Sequence, residues 1–227
     1  MTSNIIHEKV SIFGDLHGKY KEFHQLANKN KSDYILQIGD CGFSYEELNK
    51  YDSNKIKFIP GNHENYDLCF DSPYCLGNWG QYKLGPLEFF YIRGAYSVDV
   101  AYRTAGISWW DQEQLSVIEM DKAFEEYCKT KPKVVITHTC PRVIADIIGD
   151  PRFLIQLGYD PVNFTTDTQE LLQACFDVHK PETHIFGHFH RNLDFHYQGT
   201  RFICLDELCS LEYQDDHFIN SNKVEKV

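Results

Sequence analysis

Apolar residues in this chain come in short runs that end at Gly, Asp, Asn or His, with longer stretches of helical spacing between them. Val10 to Phe13, Tyr34 to Ile38 and Lys55 to Ile59 have the length and apolar content of buried strands. Lys19 to Asn28 sets Tyr20, Phe23 and Leu26 on one helical face, and the polar stretch before Lys55 also reads as helical. This β-α-β-α-β opening predicts a sheet with helices on both sides. Leu87 to Tyr91 and Ala95 to Val100, split by Arg93-Gly94, are expected to pair antiparallel in a second sheet. Asp111 to Lys129 reads as a helix and Lys133 to Thr137 as a buried strand. Thr166, with Gln169 as capping partner, opens a helix through Leu171, Leu172 and Phe176 to His179. His184 to Phe186 and Arg201 to Leu205 are expected to close the sheet.

Two stretches resist this pattern. Pro141 to Pro161 mixes Pro and Gly with short apolar groups, as short helices in a surface excursion would. From Asp215 onward the chain is polar, and residues 215–227 are expected to fray. No repeat or low-complexity linker divides the 227 residues, so one domain over 1–227 is the expectation.

The strand ends carry the chemistry. Gly14-Asp15-Leu16-His17-Gly18, Gly39-Asp40, Gly61-Asn62-His63-Glu64, Thr137-His138 and Gly187-His188-Phe189-His190 each follow an apolar run. Five strand ends thus bring two Asp, one Asn and several His to one sheet edge. Asp15 and His17, like His188 and His190, are two residues apart and share one side of an extended segment. Asp40 can bridge two ions, and Asn62 offers a neutral oxygen that adds no charge against an anionic substrate. Mixed nitrogen and oxygen donors favour Mn, Fe, Zn, Ni or Co over Ca or Mg. A lone Asp-x-His-Gly is more often a turn than a metal site; five such clusters in order reverse that balance.

Charge and cysteine usage narrow the setting. A formal charge of −11 argues against an extended nucleic-acid surface, which needs basic residues to displace counterions. It leaves phosphate substrates open, because bound cations dominate a site's local charge. The eight cysteines include no Cys-x-x-Cys pair, and Cys128, Cys175 and Cys204 lie in apolar runs. Met1 to Lys9 shows no apolar leader, and no stretch approaches the roughly 20 apolar residues of a membrane helix. Reduced thiols, a cytoplasmic location and no membrane association are expected.

The ordered set Asp-x-His-Gly, Gly-Asp, Gly-Asn-His-Glu, a strand-end His and Gly-His-x-His resembles the calcineurin-like metallophosphoesterases, from Gly14 to His190. The resemblance implies a four-layer α/β/β/α sandwich with two mixed sheets and a dimetal site at the C-terminal ends of the strands. It implies two divalent transition-metal ions, Mn first, with Fe, Ni, Zn or Co as alternatives. Asp15, His17, Asp40 and His190 would hold one ion; Asp40, Asn62, His138 and His188 the other. A metal-activated water would attack phosphorus, with His63 as the general acid. Ile92 to Ser97 with Ser108-Trp109-Trp110 looks like uncharacterised bacterial and phage members.

One departure matters. Protein-phosphatase members follow Gly-Asp with a second Asp and an Arg-Gly, whereas this chain reads Gly39-Asp40-Cys41-Gly42-Phe43-Ser44. With no carboxylate at Phe43 and no adjacent Arg, the expected substrate is a small phosphodiester or nucleotide. A phosphomonoesterase is the alternative, and a non-catalytic binding module on the same fold the second. Glu64 or Asp67 would then orient His63. Arg93, Arg103, Arg142 and Arg191 are candidates to grip phosphate, each weighed against an ordinary ion pair. Arg103, Arg191, Tyr66 and Asn62 are the substrate-binding candidates. Trp109 and Trp110 could stack on a base, though core packing suits them better, and Cys140 reads as a small buried hydrophobe. His7, His24, His179, His184, His196 and His217 read as structural or surface residues. Specificity is expected from the Pro141 to Pro161 excursion and the Gly77 to Gly85 loop.

Overall fold

The chain folds around two facing sheets; the computed structural model describes residues 8–220, 222 and 225. His7 and the rest of residues 1–7 lie outside them. The first sheet is built on β1 (Val10–Phe13), β2 (Tyr34–Gln37) and β3 (Ile56–Phe58), all parallel. β10 (Ser210–Gln214) joins β1 antiparallel and β11 (His217–Ile219) lies outside it, for an order β11-β10-β1-β2-β3. The second sheet contains β4 (Trp79–Leu84), β5 (Leu87–Ile92), β6 (Val134–Thr137), β7 (Thr183–Phe186), β8 (Leu193–Tyr197) and β9 (Thr200–Cys204). Its order is β4-β5-β6-β7-β9-β8, with β5, β6, β7 and β9 parallel.

Period-two alternation explains why both faces of each sheet are covered. Val10 and Ile12 of β1, Leu87, Phe89 and Tyr91 of β5, and Ile203 of β9 meet between the sheets. The intervening residues face outward. Phe13 packs under α1 (Tyr20–Asn30) with Phe23 and Ala27. Phe90 and Ile92 pack under α2 (Val117–Thr130) and α5 (Asp167–Val178), through Ala123, Tyr127 and Leu172. Helix, sheet, sheet and helix therefore stack as the expected four-layer sandwich. The Pro141 to Pro161 segment forms α3 (Arg142–Ile148) and α4 (Pro151–Gln156), the second opened by Asp150 accepting from the Arg152 amide. Thr166 caps α5 by accepting from the Gln169 amide at 3.3 Å.

Several boundaries differ from the sequence expectation. Ala95 to Val100 is not a strand; β5 pairs instead with β4, which precedes it. The hairpin turns at Gly85, φ 57°, where a Cβ would lie 2.4 Å from the Tyr34 ring. The Gly77 to Gly85 segment is therefore mostly strand rather than loop. Its exposed positions and Gly80 hide the apolar alternation. Asp111–Glu113 makes one 3-10 turn, and the helix starts at Val117 behind a Ser116–Glu119 capping box. Between β2 and β3 the helical stretch shrinks to a 3-10 turn at Tyr45–Leu48. The tail expected to fray from Asp215 holds β11, because the Asp215-Asp216 turn, both at positive φ, folds it back on β10.

Candidate metal centre

The C-terminal ends of β1, β2, β3, β6 and β7 meet on one edge of the sandwich. His138, after β6, donates Nδ1–H to the Ile38 carbonyl after β2 at 2.9 Å, which ties the two sheets together there. That bond fixes the ring so that Nε2 faces the carboxylates, 3.1 Å from Asp40 Oδ1 and 3.1 Å from Asn62 Oδ1. His190 Nε2 lies 3.3 Å from Asp15 Oδ2. His17 Nε2 lies 3.8 Å from Asp15 Oδ2 and 3.7 Å from Asp40 Oδ2. His188 points its amide at both Asp15 oxygens, 3.2 Å each, and its ring centre is 5.2 Å from that of His138. Asp15, Asp40, Asn62 and His138 are buried, while His190 reaches the surface.

These donors fit cations. Three groups, Asp15/His17/His190, His17/Asp40/His63 and Asp15/Asp40/His138, each bring their donor atoms within 4.8 Å of one another. Asp15 and Asp40 belong to two groups each, and Asp40 links both sheets' histidines. The Nε2 atoms of His17 and His190 meet at 3.0 Å, an approach that a cation between or beside them relieves. Local backbone strain points the same way. His17, Asp40, His188 and His190 all have φ between 46° and 68°, where a side chain costs about 1 kcal/mol or more. Gly61 has no room for a Cβ, which would lie 2.3 Å from Asp40 Oδ1 and 2.8 Å from His138 Nε2.

The protonation pattern is that of a buried anionic cradle. Burial pushes the Asp40 carboxyl up, but His138, His63 and His17 together hold it well below its usual range. Burial works against charge on His138, yet Asp40 and Asp15 raise it to about 9. Burial and then the neighbouring His138 push His188 down to about 3, leaving it a neutral donor. His190 is raised, first by its hydrogen bond to Asp15. Burial, with Arg103 and His17 adding to it, lowers His63 against the pull of Asp40.

His63 donates its amide to Asp40 Oδ1 at 2.8 Å, and its partly exposed ring stands edge-on to His17. Neither carboxylate expected to orient that ring does so. Glu64, raised by burial to about 8, accepts from the amides of Cys41 (2.8 Å) and Gly61 (3.4 Å) and from the Tyr45 hydroxyl (2.8 Å). It therefore staples the Asp40 loop to the Asn62 loop. Asp67 accepts from Trp110 Nε1 at 2.8 Å. The group set against His63 is Arg103, with Nη1 2.9 Å from Nδ1 and Nη2 2.6 Å from Nε2. Asp99 grips that guanidinium at 2.7 and 2.9 Å. Phe43 packs its ring on Trp110 at 5.5 Å, in the loop that carries Asp99 and Arg103.

The other arginines are engaged elsewhere. Arg191 bonds the Ile148 carbonyl at 2.7 Å and Glu225 at 3.0 Å. Arg93 is buried over the Tyr66 ring, and Arg142 pairs with Asp146 and Glu170. Tyr66 is buried, its hydroxyl donating to the Gly61 carbonyl at 2.6 Å, so it supports the metal loop from beneath. Trp110 and Cys140 are buried, as core residues are. Sequence reasoning missed Asp99, and it missed Glu113 and Ser97, which hold Asn62. The Asp99–Arg103 spacing of four was the one local signal.

Fold and donor set together define a metal-dependent phosphoesterase. The chain belongs to the calcineurin-like phosphoesterase family, whose model matches residues 8–192. Among solved structures it resembles a dimetal phosphatase from Danio rerio, at 9% identity and TM-score 0.53, covering 90% of this chain and 91% of that one. It also resembles a putative 5'-nucleotidase from Staphylococcus aureus solved with alpha-ketoglutarate, at 12% identity and TM-score 0.51. That match covers 91% of this chain but 51% of the other. Likeness at such identity shows the fold alone. No curated protein matches the sequence. Among the described residues, no helix is long and apolar enough to cross a membrane.

Proposed function

We propose that the protein hydrolyses a small phosphodiester or nucleotide at a pair of divalent transition-metal ions, Mn first among them. Asp15, His17, Asp40 and His190 would hold one ion, and Asp40, Asn62, His138 and His188 the other, with Asp40 shared. When bound, the ions supply an activated water and screen the charge that develops on the phosphoryl oxygens. The chain's own groups do the rest. Asp40 takes the His63 amide at 2.8 Å and so holds that imidazole beside the ions without spending a ring nitrogen on the bond. His63 then gives a proton to the leaving oxygen. Arg103, held by Asp99 at 2.7 and 2.9 Å, would turn its Nη donors from the His63 ring to a non-bridging phosphate oxygen, which frees the imidazole for that proton transfer.

The observation that carries the preference for a diester is the pairing of nearby cations. Arg103 shares its charge with Asp99, Lys19 with Glu207, and Arg191 with Glu225. Beyond the ions, these paired cations among the described residues leave little free positive charge to hold a dianionic monoester, whereas a diester carries a single negative charge. Manganese-loaded protein is expected to turn over bis(p-nitrophenyl) phosphate with higher kcat/KM than p-nitrophenyl phosphate, and Asp40→Asn to abolish both activities. Faster monoester turnover would make the protein a phosphomonoesterase. Equal rates with and without Asp40 would leave only a binding module.

A further inference from the structure

The loop between β5 and α2 is tied down at both ends. Arg93 donates from Nε to Asn78 at 2.7 Å and from Nη1 to the Gln112 carbonyl at 2.5 Å. Gly94 donates its amide to Pro60 at 2.8 Å, directly before the Asn62 loop. A Cβ on Gly94 would lie 2.2 Å from the Glu113 carbonyl, so the two arms of the loop touch backbone to backbone. Gln114 Oε1 accepts from the Thr168 amide at 3.1 Å and its hydroxyl at 3.2 Å, at the start of α5. Glu113 is held between these anchors and is 2% exposed. A carboxylate this buried is costly unless its oxygens are satisfied.

Ser97 satisfies both. Its amide donates to Glu113 Oε1 at 2.8 Å, and its hydroxyl donates to Oε2 at 2.6 Å. Ser97 Oγ also lies 3.0 Å from Asn62 Nδ2. A carboxylate only accepts, and a hydroxyl has one proton to give. With that proton committed to Glu113, Ser97 can only accept from Asn62. The Asn62 amide must therefore turn its NH2 toward Ser97 and its carbonyl to the other side, where Oδ1 sits 3.1 Å from His138 Nε2. The reverse orientation would aim two N–H donors at the metal side.

We infer that Glu113, acting through Ser97, is a positioning residue that sets the sense of the Asn62 amide so that its carbonyl oxygen faces the metal centre. This rests on Asn62 being a metal ligand. It requires no particular substrate, so it stands apart from the diester preference. Glu113→Gln keeps size and shape but reverses the donor logic. The Gln oxygen accepts the Ser97 amide, its NH2 donates to Ser97 Oγ, and the freed hydroxyl proton turns to Asn62. Asn62 then flips, and its NH2 faces the ions.

Calorimetric titration of the full chain with Mn(II) tests this. In Glu113→Gln one Mn(II) site is expected to weaken by about tenfold or more, the usual scale for an outer partner of a metal ligand. Ser97→Ala, which leaves the amide free without inverting it, is expected to cost less. The double variant Ser97→Ala/Glu113→Gln has no hydroxyl to drive the flip and is expected to bind Mn(II) better than Glu113→Gln alone. A merely structural role gives no such recovery. Affinity unchanged in Glu113→Gln, or a double variant worse than it, overturns the inference. Asn62→Ala separates the two levels: unchanged affinity there removes Asn62 as a ligand and the inference with it. Should Glu113→Gln not fold, Ser97→Thr is expected to match wild type and Ser97→Ala to fall below it; equal affinities in those two overturn the inference.

Discussion

His184 makes acid sensitivity a measurable property of the sheet that carries His138 and His188. Its ring lies in β7, 3% exposed, tilted against Phe202 at 5.5 Å, with Nε2 2.8 Å from Thr137 Oγ1. Thr137 gives its own proton to the Thr139 carbonyl, so it accepts from a neutral His184 that carries its hydrogen on Nε2. Burial lowers the His184 pKa from 6.5 to about 3. The unfolded chain therefore binds the extra proton first. The stability tied to neutral His184 is complete above 6.5 and is lost progressively as pH falls from 6.5 toward about 3. At about pH 5 the unfolded state gains about 2 kcal/mol from this group, and below about pH 3 the loss levels off near 5 kcal/mol. His184→Gln keeps an N–H donor near Thr137 and removes the titration. Urea unfolding in chelator, at about pH 8 and about pH 5, compares the two proteins. Wild type is expected to lose about 2 kcal/mol more than the variant between these conditions. Groups common to both proteins, His138 among them, cancel in this difference. Equal losses, or a larger loss in the variant, would refute the claim that His184 is held neutral by burial.

Two further substitutions probe the centre itself. Gly61→Ala would set a methyl 2.3 Å from Asp40 Oδ1 and displace a shared ligand, so Mn(II) affinity is expected to fall about tenfold or more in calorimetry. Wild-type affinity in that variant would mean the two loops can part without cost. Arg103→Ala removes a charge-assisted contact worth about 1.5–3 kcal/mol, a loss of about ten- to hundredfold in kcat/KM for bis(p-nitrophenyl) phosphate. The loss is expected mainly in KM, with Arg103→Lys recovering part of it; an effect under about threefold would remove Arg103 from the substrate site.

The legible parts share a physical cause. Val10 to Phe13, Tyr34 to Gln37 and Thr183 to Phe186 are parallel strands covered on both faces, so each reads as a continuous apolar run. β4, β8, β10 and β11 lie at or near sheet edges, where polar residues dilute the pattern, and these strands were missed. Ala95 to Val100 has strand-like residues but no free edge to join, since β4 already covers β5. Its Ser97 serves the Asn62 loop instead. Local composition carried no sign of that contact, because Ser97 and Asn62 are joined only through the meeting of the two sheets.

By itself the sequence determined the donor set and its order. Each of those residues lies within four positions of a strand's end, and position along a parallel strand is enough to send it to the C-terminal edge. Only the tertiary structure decided the partners of those donors. The Glu113–Ser97–Asn62 chain and the Arg103–His63 contact join residues 16 to 40 positions apart, bonds that exist only once the β5–α2 loop has closed over the edge. A ligand's chemistry is a property of its side chain. Its orientation is a property of whatever donor or acceptor the fold sets against it.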